Sequence, residues 1–258
     1  MRWLQNLNEK IKHGIRSWLN VIPASPYSIQ INETMDFEMN AIRNRIWYSA
    51  DGNKIEQMYQ QMAEYADQHK FWASKCSRGM EIRKIHTGLP SLIVRVLNSI
   101  IVAGMEDFEF PNSGQEALWK EIENDNKFRK KFEKSLKETL FIGDGAYKIS
   151  IDTDLSQYPI LEWYPGERIE IVTNRDRLKE IVFKKVYMDG KRQYVLNEHY
   201  GYGYIIPHLY RGETEVPLNT LEETANMQPV TFDKTVMLAV PMRIYESAQF
   251  EGRGGSIF

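Results

Sequence analysis

The sequence has few of the residues from which several common functional sites are built. Its 258 residues include one cysteine, Cys76, so an internal disulfide and a zinc site of the Cys/His type are both excluded. A single thiol is typical of a chain made in a reducing compartment. The 33 basic and 35 acidic residues give a net charge of -2. That balance lacks the basic excess usual in nucleic-acid-binding proteins, although it is compatible with a local basic patch.

Long hydrophobic runs are also missing. The most apolar stretch, residues 89–105, is interrupted by Pro90, Arg95 and Asn98, and it is shorter than the roughly 20 residues of a spanning helix. The N-terminus lacks the continuous apolar core of a secretory signal, because charges are scattered among its apolar residues. The sequence therefore predicts no membrane span and no membrane partner.

No catalytic motif stands out. The five histidines follow no metal-binding spacing, and no G-x-S-x-G elbow is present. Glu198 and His199 are neighbours on a predicted strand, where adjacent side chains point to opposite faces and cannot form a dyad. Asp152 and Asp154 are paired acids, which alone do not make a metal site. We predict that the protein is not an enzyme and has no catalytic, metal or cofactor-binding residues. An enzyme with Asp152, Asp154 or Glu198 as scattered catalytic acids is the alternative.

Helical periodicity dominates the first half of the chain. The first helix is predicted from apolar residues that share one side of a helical wheel: Trp3, Leu4, Leu7, Ile11, Ile15, Trp18 and Leu19. We expect this helix to pack on the protein or on a neighbour, with a membrane-surface anchor as the alternative. Further helices are predicted over residues 33–48, 54–65, 88–104 and 113–139. The third of these is apolar over most of its surface, which predicts deep burial.

Strand patterns dominate the second half. Tyr147, Ile149 and Ile151 alternate with polar residues, which indicates a half-buried strand. Residues 180–188 and 192–200 flank Asp189-Gly190 and are predicted to form a hairpin, and Pro207 suggests an edge in the next strand. The predicted fold class is α+β, with a helical N-terminal half followed by an antiparallel β meander. The predicted parts are residues 1–139, mainly helical, and 140–258, rich in strands.

Two glycine-rich motifs allow a functional and a structural interpretation. Residues 252–256 could cradle a phosphate, but the Lys-Ser/Thr pair and the helix of a P-loop do not follow, so a flexible tail or linker is favoured. The tripeptide Gly143-Asp144-Gly145 could be a ligand turn. A backbone corner in which glycine supplies a positive φ is the favoured interpretation.

One basic run is present. Six basic residues accompany a single acid, Glu133, in one helical segment: Lys127, Arg129, Lys130, Lys131, Lys134 and Lys137. Such a face could contact the phosphates of nucleic acid without reading its sequence. A solvated helix face is the structural alternative, and it is favoured because basic runs are commonly plain surface. A non-specific nucleic-acid-binding module based on these residues is the second functional hypothesis.

The order of these features resembles the portal, or head-to-tail connector, proteins of tailed bacteriophages. The similarity extends over most of the chain as a pattern rather than as one diagnostic motif. It is carried by residues 44–52 with 57–65, by Phe71 and Trp72, and by residues 89–97, 140–149, 197–203 and 207–210. The chain is most similar to the N-terminal, wing-bearing half of these proteins, while the stem and clip that family members have in later sequence are not visible.

The resemblance implies a structural role rather than chemistry. Portal proteins form a ring, typically a dodecamer, at one capsid vertex; DNA enters and leaves through it, and the tail is joined there. The implied partners are other copies of the chain, the terminase, the head-tail connector, scaffold and major capsid proteins, and double-stranded DNA in the channel. The implied location is the virion, after synthesis in the cytoplasm of the bacterial host.

Overall fold

The computed structural model describes residues 36–63 and 86–257. Within these ranges helices are followed by strands, and the strand pairs are antiparallel, so the fold class is mixed α+β, as predicted. The predicted N-terminal helix and Cys76 lie outside the described residues. The helices are α1 (Phe37–Ser49), α2 (Gly52–Ala63), α3 (Leu89–Ala103), α4 (Ser113–Asn126) and α5 (Phe128–Ile142).

Local signals account for the ends of the early helices. Asp36 caps α1, because its carboxylate accepts a hydrogen bond of 2.8 Å from the amide of Met39. Gly88, in the left-handed region at φ 69°, precedes α3, and the amide of Gly104 closes it on the carbonyl of Ile100.

The predicted long helix over residues 113–139 is two helices. Lys127 separates α4 from α5 because its backbone is left-handed, with φ 51°. Its amide donates to the carbonyl of Asn124 and so closes α4, while its own carbonyl accepts from the amide of Lys131 and opens α5. A positive φ in a residue other than glycine is uncommon, and the helical periodicity on both sides concealed this break.

The strands form two sheets. The smaller sheet has the order β2-β1-β9, and the larger has the order β3-β4-β5-β6-β7, with β8 paired to β6. The strands are β1 (Asp144–Ser150), β2 (Ile160–Pro165), β3 (Ile169–Asn174), β4 (Arg177–Asp189), β5 (Arg192–Gly201), β6 (Tyr204–Arg211), β7 (Thr214–Val216), β8 (Val230–Thr231) and β9 (Ala239–Arg243).

The hairpin was predicted nearly correctly, whereas the edge was not. Asp189 pairs with Arg192, so the turn residues are Gly190 and Lys191, one position later than predicted. Pro207 does not mark an edge strand, because β6 pairs on both sides. β8 pairs with residues 204–205 and β7 with residues 209–211, so Pro207 lies in the gap between them, where no ladder needs its missing amide hydrogen.

The first strand is buried on both faces. Residues 144–148 of β1 are all buried, including Lys148, whereas Ile151 beyond its end is exposed. The half-buried alternation predicted from Tyr147, Ile149 and Ile151 is therefore wrong. β1 is central in its sheet and packs against α5, so side chains on both of its faces are enclosed.

The described residues enclose three hydrophobic clusters. The first joins α1, α3 and α5 and contains Phe37, Ala41, Val94, Leu136, Leu140, Phe141 and Ile142. The second fills the space between the two sheets and contains Ala146, Ile169, Ile181, Phe183, Tyr200 and Ala239. The third lies at the far end of the larger sheet and contains Tyr194, Leu196, Leu209 and Leu221. The helices are thus anchored to the sheets through α5.

Candidate functional site

An exposed apolar surface runs along α3. Seven of its apolar side chains are between 37% and 63% exposed: Leu89, Leu92, Ile93, Val96, Leu97, Ile100 and Ile101. We call these seven residues the α3 apolar face. Val94 and Asn98 are the buried residues of this helix, and Val94 joins the cluster formed with α1 and α5. Among the described residues, the core therefore covers only a narrow stripe of α3.

The prediction that α3 is deeply buried is wrong for the part of the chain that the structure describes. Its residues are mostly apolar, as in a buried helix, but α1 and α5 contact only one side of it. Arg95 is the single charged residue between Leu89 and Ala103. Contiguous exposed apolar surface of this kind marks interaction sites in proteins.

The six predicted basic residues are divided between two surfaces. Five of them line one depression of about 460 Å³, together with Asn126 and Glu133: Lys127, Lys130, Lys131, Lys134 and Lys137. We call these five the basic surface. Arg129 points elsewhere and pairs with Glu123 at 3.1 Å and with Asp107.

Two members of the basic surface have partners within the protein. Lys131 donates to the carbonyl of Leu161 at 2.7 Å and to Asn126 at 3.2 Å, and burial lowers its pKa. Lys137 lies 3.6 Å from Glu133. Lys127, Lys130 and Lys134 are exposed and have no ion pair among the described residues. These three ammonium groups are available to an anion, so the basic surface is a candidate anion-binding site.

The two glycine motifs meet each other. Arg253 Nε lies 2.8 Å from Oδ2 of the buried Asp144 carboxylate, and Nη2 lies 2.8 Å from Oδ1. The amide of Gly254 also donates to Oδ2, at 2.8 Å. A Cβ on Gly143 would overlap the carbonyl of Gly254, which explains the glycine at this close approach. The flexible tail predicted for residues 252–256 is therefore wrong: a buried ion pair holds it.

The scattered acids do not share one arrangement. Asp152 and Asp154 are exposed in a turn, where the carboxylate of Asp152 accepts the amide of Asp154 at 3.0 Å. Glu198 is buried and accepts from Lys148 at 3.0 Å. His199, on the opposite face of β5, lies 3.4 Å from Glu180. Asp152 and Glu198 thus have local structural roles.

The larger sheet carries a row of polar groups that the sequence did not indicate. The rings of His199 and His208 are 5.2 Å apart, and His208 lies 2.7 Å from Glu215. Burial raises the pKa of Glu180, but hydrogen bonds from Tyr204 and His199 outweigh it and lower the pKa overall. Within the described ranges, no group of three or more His, Cys, Asp or Glu side chains is arranged to hold a metal ion.

Across the described helices, none is long and apolar enough to cross a membrane. No family model matches the sequence, and no curated protein is significantly similar to it.

Proposed function

We propose that the chain is a structural subunit that assembles with copies of itself into a ring of the bacteriophage portal type. The observation that carries the proposal is the α3 apolar face, which a subunit working alone would expose to water. Burial of apolar surface stabilises association by about 25 cal/mol per Å², so such a face favours contact with another surface. The choice of a portal-type ring rests on the order of sequence features, which resembles that of portal proteins.

A cyclic ring requires two different complementary faces on each subunit, because its contacts are heterologous. The α3 apolar face supplies one of them. In this proposal, residues 1–139 are the mainly helical part of the portal wing. Residues 140–258 are its β-rich part, which leads towards a stem, and its larger sheet has consecutive strands β3 to β7 side by side. The location is the portal vertex of the virion, after synthesis in the bacterial cytoplasm.

The proposed partners follow from the ring. They are other copies of the chain, the terminase, scaffold, head-tail connector and major capsid proteins, and the double-stranded DNA that passes through the channel. No residue is assigned to DNA in the channel. The protein acts as a platform and conduit, and no catalytic step is required of it.

The test is the mass of the purified chain by light scattering after size exclusion, with negative-stain images of any large species. We expect rings with a central hole. A chain that stays monomeric at high concentration contradicts the proposal.

A double substitution tests whether the α3 apolar face is needed for assembly. Leu92→Glu with Val96→Lys places an acid four residues before a base on the exposed helix, which favours the helix slightly and leaves the net charge unchanged. This variant should reduce the assembly to smaller species. The charge-matched control, Ile151→Glu with Leu155→Lys, alters two apolar residues that are 74% and 77% exposed outside α3, and it should leave the rings intact. Equal loss of assembly in both variants contradicts a specific role for α3.

A further inference from the structure

A cleft of about 410 Å³ lies beside the basic surface and shares two of its lysines. Its lining combines aromatic and charged side chains: Asp107, Phe108, Trp119, Lys120, Glu123, Asn124, Lys127, Phe128, Arg129 and Lys130. Lys127 and Lys130 line both this cleft and the basic depression. We call it the aromatic cleft. An aromatic surface and a row of cations are therefore continuous here.

The aromatic rings of the cleft form an ordered wall. The ring of Phe108 lies 5.1 Å from that of Trp119, and Trp119 lies 5.4 Å from Phe128, both in edge-to-face geometry. Phe128 continues towards the interior through Phe132, at 5.9 Å. Phe108 is 46% exposed at the outer end of this wall. A row of contacting rings thus presents one exposed aromatic side chain, Phe108, to solvent.

One polar atom in the wall has no partner. The indole Nε1 of Trp119 is buried and makes no hydrogen bond among the described residues. A buried donor without an acceptor costs free energy, so an acceptor brought by a ligand would be favourable at this position. The same indole packs edge-to-face on the exposed Phe108 ring.

The acids of the cleft are neutralised by the protein itself. Arg129 pairs with Glu123 at 3.1 Å and with Asp107, and Lys120 pairs with Glu116 at 2.7 Å. Lys127 and Lys130 are left without an ion pair among the described residues. On α5 they are followed at helical spacing by Lys134, which also has no ion pair among the described residues, and by Lys137, which lies 3.6 Å from Glu133. The row of cations therefore continues away from the cleft along one face.

We propose that the aromatic cleft and the basic surface together bind single-stranded nucleic acid. An unpaired base stacks on Phe108, and successive phosphates contact Lys127, Lys130, Lys134 and Lys137. Stacking platforms beside a cationic groove are how proteins hold single strands without reading sequence. The inference goes beyond ring assembly and does not depend on it.

The aromatic wall distinguishes a single strand from a duplex. Paired bases are stacked on each other and cannot place a face on Phe108, so a duplex would use only the lysines. Stacking is worth about 1–3 kcal/mol per base by alanine substitution, which corresponds to roughly a 5- to 150-fold change in affinity. The preference for single strands is therefore measurable even for one stacked base.

The experiment titrates the purified chain into fluorescein-labelled 20-residue oligonucleotides, dT and U, and measures anisotropy at several salt concentrations. We expect binding at low salt that weakens as salt rises, with a logarithmic slope of about -0.7 for each phosphate contact. The duplex of the same length should bind at least about 5-fold more weakly. An absence of binding at low salt, or equal binding of duplex and single strand, overturns the proposal.

Variants separate stacking from charge. Phe108→Leu keeps an apolar side chain of similar size but removes the ring, and it should weaken single-strand binding about 5-fold or more without changing the salt slope. Phe108→Tyr should bind like the unaltered chain. Lys130→Gln with Lys134→Gln should lower the salt slope by roughly 1.4. Lys191→Gln with Arg192→Gln removes the same charge from an exposed hairpin turn and is the control.

Two results would contradict the assignment. Unchanged affinity in Phe108→Leu, with the fold verified by circular dichroism, would exclude stacking at the cleft. Equal effects of the two lysine pairs would show that only net charge matters. Comparison of U with a dU oligonucleotide of the same length then tells whether the sugar is sensed, because these two differ only in the 2′-hydroxyl by which a protein distinguishes RNA from DNA.

Discussion

Lys148 Nζ lies 3.0 Å from Glu198 Oε2 and so joins the two sheets by a buried ion pair. Glu162 lies 3.5 Å from the same ammonium group, and the rings of Tyr164 and Tyr200 face it at 5.4 Å and 5.9 Å. Burial by itself would lower the pKa of Lys148, but the neighbouring carboxylate charges outweigh it and hold the pKa above its ordinary value. The lysine is therefore charged between the sheets.

Removing one partner of this pair should be far more damaging than removing both. Lys148→Met leaves Glu198 buried without its counter-charge and should cost about 3–5 kcal/mol of unfolding free energy. Adding Glu198→Leu should recover much of that loss, because apolar residues of similar volume often replace a buried pair without penalty. Urea unfolding of the two single variants and the double variant measures the coupling. Additive losses would contradict a direct interaction.

Stability should decrease in alkali through the same cluster. Burial raises the pKa of the Tyr200 hydroxyl, and the pKa of Lys148 is also raised, so the folded state keeps protons that the unfolded state loses above about pH 10. Both contributions are complete below that pH and decrease as the pH rises towards the folded-state values. We expect urea midpoints that are flat to about pH 9.5 and then fall.

Tyr200→Phe tests the tyrosine's share of this pH dependence. The variant has no hydroxyl to titrate, so the slope of stability against pH above about pH 10 should become shallower. A slope identical to that of the unaltered chain would exclude Tyr200 as a contributor. A urea midpoint that does not change up to about pH 11 would show that neither Lys148 nor Tyr200 contributes to the pH dependence of stability.

Arg253 should be essential for fixing the last described segment. It clasps the fully buried Asp144, donates to the carbonyl of Gly166 at 2.6 Å and lies 3.6 Å over the ring of Phe37. Arg253→Met should cost about 3–5 kcal/mol, because Asp144 loses its counter-charge. Arg253→Lys should retain only part of this stability, since an ammonium group cannot bind both carboxylate oxygens of Asp144 as the planar guanidinium does.

The control for this segment is a surface pair at the end of β9. Arg243 lies 3.0 Å from Glu246, and both side chains are well exposed. Arg243→Met should change the free energy of unfolding by less than about 1 kcal/mol. Limited proteolysis should then cut residues 246–257 in Arg253→Met but not in Arg243→Met. Equal resistance of both variants would contradict the clasp.

Lys127 should tolerate glycine better than its helical neighbour does. Its φ of 51° is unfavourable for a side chain, so Lys127→Gly should raise the unfolding free energy by up to about 1 kcal/mol. Lys130→Gly, inside α5, should lower it by about 1 kcal/mol. Thermal unfolding compares the two variants, which remove the same charge. Equal effects would contradict the break between α4 and α5.

The wrong predictions share a physical cause. Periodicity predicted one helix over residues 113–139, since residues on both sides of Lys127 favour helix and only the tertiary packing forces a left-handed residue there. The apolar pattern of α3 predicted deep burial, but a pattern does not show whether a neighbouring element covers each face of the helix. Phe108 and Trp119 carried no sequence signal as a site, because they meet the lysines only after α4 folds back onto α5.

By itself the sequence determined the type of most helices and strands and several of their ends. Asp36, Gly88 and Gly104 act on backbone groups within four residues, so capping and helix ends are decided locally. The strands on either side of Gly190 follow from alternation and a turn residue in the same way. Tertiary structure alone decided the rest. Asp144 meets Arg253 across 109 positions, and Lys148 meets Glu198 across 50, because burial of a charge depends on which distant group packing brings to it.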